Sequence, residues 1–327
     1  MPIKLSVTKE QVLCAYQELK DVKTVAQRFS ISIPTVYRYI KGEIKPMVNE
    51  QSSYDVSGYV PSNSDPEVVG YRPRMAYFNS LSAYLDKKYP VLLIGEAGTG
   101  KTSLARYYAF TKKLPFLEVS CDSLLGFREL LGQVNITDGT SHFIEGIFTK
   151  IIQGPGVILL DEITALDPGK NFMLHQLLQS REFFVKEANR GEGKTYKLHP
   201  ELKIVLACNP PTGKYPGTNR MNVALVDRPQ VIWVEDMTVS EIREIIPNHA
   251  IKDQLLVLYR DARTIIVSNN FRTTFSLRGI KKILSSLESG MPLNTALHDG
   301  FLNGARATAG DEAYKALLGL TKTIFSV

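Results

Sequence analysis

Four apolar residues, Val91–Ile94, run directly into GEAGTGKT (95–102), and helical spacing follows in SLARYYA. A strand that hands over to a helix through a glycine-rich turn restricts the chain to an α/β architecture built on a parallel sheet. The spacing is GxxxxGK[ST]. Gly95, Gly98 and Gly100 let the main chain curl, so the N–H groups of the loop (with Glu96, Ala97 and Thr99) can surround a phosphate at a helix N-terminus. Lys101 is then placed for the β- and γ-phosphates and Thr102 for Mg²⁺, with Ser103 continuing the helix.

A second stretch, GVILLDEIT, sets Asp161 and Glu162 at the C-terminal end of another apolar strand, where ligands of an open parallel sheet belong. Asp161 suits the Mg²⁺ shell and Glu162 suits polarisation of an attacking water.

The order of this loop, LLDE, VLACNP and ALVDR resembles an AAA+ ATPase, over roughly residues 59–289. Two insertions are similar to those of the MoxR-like group, nearest to the NorQ and CbbQ activators. The first, LLGQVNITDGTSHFIEGIFTKII (130–152), reads as a hairpin turning at Asp138 and Gly139. In the second, EFFVKEANRGEGKTYKLHPELKIVLACNP (182–210), two strand-like runs flank a polar turn. The resemblance implies ATP and Mg²⁺ as cofactors. It also implies a ring, most often a hexamer, with Asn209 orienting the hydrolytic water, Arg278 in FSLRGI reaching the γ-phosphate from a lid, and Arg228 entering a neighbour's site. The family usually follows that arginine with Phe, whereas Pro229 stands here, and Arg220 in GTNRMN lies near enough to compete. Neither hairpin tip, with Arg190 and Lys194 in one and residues 137–141 in the other, offers an evident aromatic for gripping a threaded chain.

Composition divides the 327 residues into parts. Residues 1–42 show three apolar faces at helical spacing: Val12, Ala15, Tyr16 and Leu19, then Val22, Val25, Ala26 and Phe29, then Ile31, Val36, Tyr39 and Ile40. Pro34 falls in the first turn of the third, where its missing N–H costs nothing. This resembles a helix-turn-helix, a small all-α domain whose third helix would show Thr35, Tyr37, Arg38 and Lys41 to DNA. Residues 1–46 hold eight basic side chains against four acidic ones, which leaves +4 of the formal net charge of +6 in that module. Such an excess suits a polyanion. A helical trio that binds protein is the alternative.

Residues 43–67 collect Pro, Ser, Asn and Gly without a period and read as a flexible linker. An α/β core is expected over 68–237 and a helical lid with further helices over 238–327. No apolar run approaches the roughly 18 residues that cross a bilayer, so a cytoplasmic protein without membrane contact is expected. The three cysteines lack the spacing of a disulfide framework or a zinc site.

These features lead to an ATP-hydrolysing ring that remodels or assembles a protein partner while tethered to DNA. The alternative is a DNA-bound regulator, of a transposition or mobile-element kind, in which ATP only switches assembly.

Overall fold

A computed structural model describes residues 8, 11–12, 14–15, 22–29, 31, 35–36, 59–121, 131–137, 140–165, 168–188, 191–210 and 223–326. Two units divide the chain, Met1–Asp55 and Val56–Val327. In the smaller, Val12, Ala15, Val25, Ala26 and Val36 form one buried cluster with Phe29 and Ile31 packed against it. The helix α1 (Val22–Phe29) supplies its middle. Thr8 and Gln11 cap the first helical stretch reciprocally, each main-chain N–H donating to the other's side chain (3.0 and 3.4 Å). Thr35 is described and half-buried. Tyr37, Arg38 and Lys41 lie outside the described residues.

The larger unit carries α2 (Met75–Asp86) before its sheet and centres on five parallel strands: β1 (Val91–Ile94), β2 (Phe116–Ser120), β5 (Gly156–Asp161), β8 (Leu202–Cys208) and β9 (Gln230–Trp233). Their spatial order is β2-β5-β8-β1-β9. β1 and β8 are buried throughout and apolar apart from Lys203, as strands covered on both faces must be. Leu92 and Ile94 pack on one face with Leu174 and Leu177 of α4 (Pro168–Ser180). Val91 and Leu93 pack on the other with Leu81 and Leu85 of α2 and Leu104 and Tyr108 of α3 (Lys101–Lys112). Truncating a fully buried leucine in such a layer costs about 2–5 kcal/mol.

Both insertions are antiparallel hairpins, β3 (Gly132–Thr137) with β4 (Thr140–Glu145) and β6 (Glu182–Val185) with β7 (Lys194–Lys197). Asp138, Gly139 and Arg190 fall outside the described residues. Phe183 faces inward, stacked on Tyr196 at 5.7 Å. Its neighbour Phe184 faces outward, 54% exposed, its ring so close over Gly193 that a Cβ there would lie 2.1 Å away. An aromatic therefore does stand near the second tip, contrary to the expectation from sequence, because strand alternation turns the second phenylalanine of EFFV outward. The hairpins are joined: Lys194 Nζ donates to Glu145 Oε1 at 3.0 Å.

The lid begins at α5 (Val239–Ile245), where Thr238 and Glu241 form a reciprocal capping box. It continues through α6 (Lys252–Ser268), α7 (Leu277–Glu288), α8 (Leu293–Leu297) and α9 (Asn303–Phe325) around a separate core that includes Phe275 and Phe301, 4.1 Å apart.

The expected linker boundary needs correction. From Tyr59 the chain already belongs to the larger unit: the Tyr59 carbonyl accepts the Phe116 N–H at the edge of β2 (2.9 Å), and Asp65 is buried. Pro- and Ser-rich composition removes helical or strand periodicity, but it does not stop an irregular segment from packing when its polar groups find partners.

Candidate functional site

The phosphate loop joins β1 to α3. Gly98 and Gly100 hold φ of 84° and 90°, conformations that a side chain would strain. Thr99 braces the turn by donating to the Glu96 carbonyl at 2.9 Å. The first N–H groups of α3 have no intrahelical partners by construction, and with the helix dipole they favour an anion at this end.

Lys101 is 8% exposed, and its ammonium donates to the carbonyls of Gly95 (2.8 Å) and Glu96 (3.0 Å) and to Asn209 Oδ1 (3.2 Å). Burial pulls its pKa below the ordinary lysine value, against the opposing pull of Asp161. Thr102 Oγ1 donates to Asp161 Oδ2 at 2.9 Å, while Asp161 Oδ1 accepts the Glu162 N–H at 2.8 Å. Glu162 itself adopts φ of 55°, a left-handed conformation that a non-glycine residue holds only where its surroundings impose it. Cys208, the last residue of β8, is buried, and its thiol pKa is pushed up to about 11.

A cavity of about 540 Å³ opens over these groups. Ala97, Gly98, Gly100, Lys101, Thr102, Ser103, Asp161, Glu162, Asn209 and Arg278 all line it. Gly95, Glu96 and Thr99 shape the loop without lining the cavity. The lid meets the loop directly: a Cβ on Gly98 would lie 2.7 Å from Ser276 Oγ, at the start of α7, and Arg278 follows two residues later. Arg228 is not among the lining residues; its guanidinium donates to Gln179 Oε1 on α4 at 3.0 Å. Arg220 lies outside the described residues.

Further walls come from Gly70, Tyr71, Arg72, Arg106, Glu118, Met237, Ile245, Leu277 and Lys281, none singled out by sequence reasoning. Lys281 carried a signal, since it follows Arg278 by three residues on one helix and so shares its face. The hydroxyl of Thr102 and the carboxylate of Asp161 are hard oxygen donors already converging on one point, a set that fits Mg²⁺. Among the described residues, no helix is long and apolar enough to cross a membrane.

Residues 90–229 match the family described as AAA domain (dynein-related subfamily). Together with the five-stranded parallel sheet, this makes the core an AAA+ ATPase domain of the dynein-related type. Denitrification regulatory protein NirQ of Pseudomonas aeruginosa is 30% identical over 141 residues, which cover 42% of this chain and 53% of NirQ. An uncharacterised protein of Staphylococcus haemolyticus is 28% identical over 237 residues, 67% of this chain and 86% of that one. Midasin of Dictyostelium discoideum is 28% identical over 170 residues, 51% of this chain and 3% of midasin. The chain thus spans about half of NirQ and a small part of midasin. A solved structure from Cytophaga hutchinsonii superposes with a TM-score of 0.38 at 17% identity, covering 60% of this chain and 53% of that one.

Proposed function

We propose that this protein is a Mg²⁺-dependent ATPase of the MoxR-like kind that works as a ring, remodels or assembles a partner complex, and is held on DNA by its N-terminal module. The observation that carries the reading is the convergence of Lys101, Thr102, Asp161, Glu162 and Asn209 with the lid's Arg278 around one cavity. The likeness to NirQ, a denitrification regulatory protein by its printed name, supports a regulatory role.

In this reading the α3 N-terminus and Lys101 hold the phosphates, and Lys101 turns from the carbonyls it now bonds toward them. Thr102 and Asp161 hold Mg²⁺, which when bound neutralises phosphate charge. Glu162 polarises the attacking water, Asn209 orients it, and Arg278 meets the γ-phosphate from the lid. Arg228 lies outside the cavity of its own subunit, so it serves a neighbour's site, where such an arginine supplies about 10³–10⁵ in rate. The basic excess of residues 1–46, with Thr35, Tyr37, Arg38 and Lys41 as the contacts, supports DNA as the N-terminal partner.

Glu162→Gln tests the catalytic assignment. The variant should bind ATP like the wild type while turnover falls by about 10²-fold or more, because the carboxylate acts on water rather than on nucleotide. Wild-type turnover in that variant would remove Glu162 from the mechanism. Whether DNA or a protein stimulates turnover separates the remodelling enzyme from an ATP-switched DNA-bound regulator.

A further inference from the structure

The segment leading into the core ends as part of the cavity wall. Tyr59 lies against the edge of β2, its carbonyl accepting the Phe116 N–H at 2.9 Å, and its hydroxyl donates to the carboxylate of Asp65. Asp65 is 8% exposed, and its own carbonyl accepts the N–H groups of Val68 and Val69, each at 2.9 Å. Within seven more residues the chain reaches Gly70, Tyr71 and Arg72, all lining the cavity, and the Tyr71 ring rests 5.5 Å from that of Tyr107 on α3.

Arg106 joins the two sides. It stands on α3, the helix that Lys101 begins, with its guanidinium over the Phe116 ring at 5.2 Å. One guanidinium nitrogen lies 3.0 Å from Glu118, and another lies 4.0 Å from Asp65. Arg106 and Glu118 both line the cavity. A buried carboxylate is tolerated only while its donors hold, so the places of Tyr59, Asp65 and Arg106 depend on one another.

We infer that Asp65 is a positioning residue for nucleotide binding: through Arg106 and the short helix Pro66–Val69 it sets the wall formed by residues 70–72. This rests on the reading of the cavity as a nucleotide site. Linkage is reciprocal, so a nucleotide that settles against this wall must also tighten the hold of Tyr59 on β2. The joint between the incoming chain and the sheet is then sensitive to nucleotide.

The test uses the full chain with Mg²⁺ and ADP carrying a methylanthraniloyl fluorophore. Asp65→Asn should weaken ADP about tenfold and Tyr59→Phe about fivefold, at the lower end of coupling between linked sites. A contact that only supports the fold would not respond to ligand, so the second measurement is hydrogen exchange at the Phe116 amide. ADP should slow that exchange in the wild type and leave it unchanged in Asp65→Asn. Wild-type affinity in both variants, or exchange at Phe116 indifferent to ADP in the wild type, overturns the inference. If Asp65→Asn does not fold, Tyr59→Phe decides by the same two measurements. Lys101→Ala separates the two levels: if it binds ADP as tightly as the wild type, the nucleotide reading fails rather than the coupling.

Discussion

Replacing Lys101 with Met separates what this side chain does for the fold from what it does for the ligand. The ammonium is nearly buried and donates to three oxygens, at 2.8, 3.0 and 3.2 Å. A hydrogen bond to a charged group contributes about 1.5–3 kcal/mol. Burying the ammonium, however, costs several kcal/mol, and the two nearly offset each other. Methionine keeps the length and apolar bulk, so the nucleotide-free unfolding midpoint should move by only about 2–4 °C.

Phosphate binding behaves differently. A unit charge about 4 Å from a phosphate oxygen, at an effective dielectric of about 20, is worth about 4 kcal/mol, close to a thousandfold in affinity. The expected result is therefore ATP affinity lower by about 10²–10³-fold with the fold intact, read by titration calorimetry alongside a thermal melt.

The pH dependence follows from the lowered pKa of Lys101. Between the folded value and the ordinary lysine value the unfolded chain holds more protons than the folded one, so the wild type gains stability as pH rises through that window. The stability of Lys101→Met relative to the wild type should therefore be greatest at neutral pH and decline above it. An affinity within threefold of the wild type, or a difference that grows with pH, would refute the reasoning.

Arg228→Ala and Lys101→Ala proteins, each nearly inactive alone, should regain measurable ATPase activity when mixed, because some interfaces then pair an intact arginine with an intact loop. Activity no greater than the sum of the two, together with a monomeric mass in ATP, would remove the shared site. Replacing Arg38 and Lys41 with Ala in the full chain should weaken DNA binding and flatten the fall of log K with log salt by about two charges; unchanged binding and slope would assign the module to a protein partner.

The loop and the acidic strand end were legible because short-range geometry determines them. Glycines at positive φ, a lysine at fixed spacing and an apolar strand on the N-terminal side can be read within a dozen residues. Both hairpins were legible from alternation and turn residues. Tyr71, Met237, Ile245 and Leu277 were not, because they reach the cavity from segments far apart in sequence and are ordinary packing residues in their own neighbourhoods. Arg106 and Glu118 look like surface charges until α3 and β2 are set side by side. The hold of Tyr59 and Asp65 on the core was hidden for another reason: an irregular segment secured by single polar contacts leaves no repeating pattern.

The contact between the hairpins bears on how force could pass through the molecule. Glu145 and Lys194 come from insertions about fifty residues apart, and both are partly exposed (29% and 47%). Burial opposes ionisation of Glu145, but its hydrogen bonds to Lys194 and Tyr196 prevail and hold its carboxyl below the usual range. An ion pair this open is worth at most about 1 kcal/mol. It therefore works as a clasp and not as a weld. High salt, or acid strong enough to protonate Glu145, should part the two hairpins without disturbing either one.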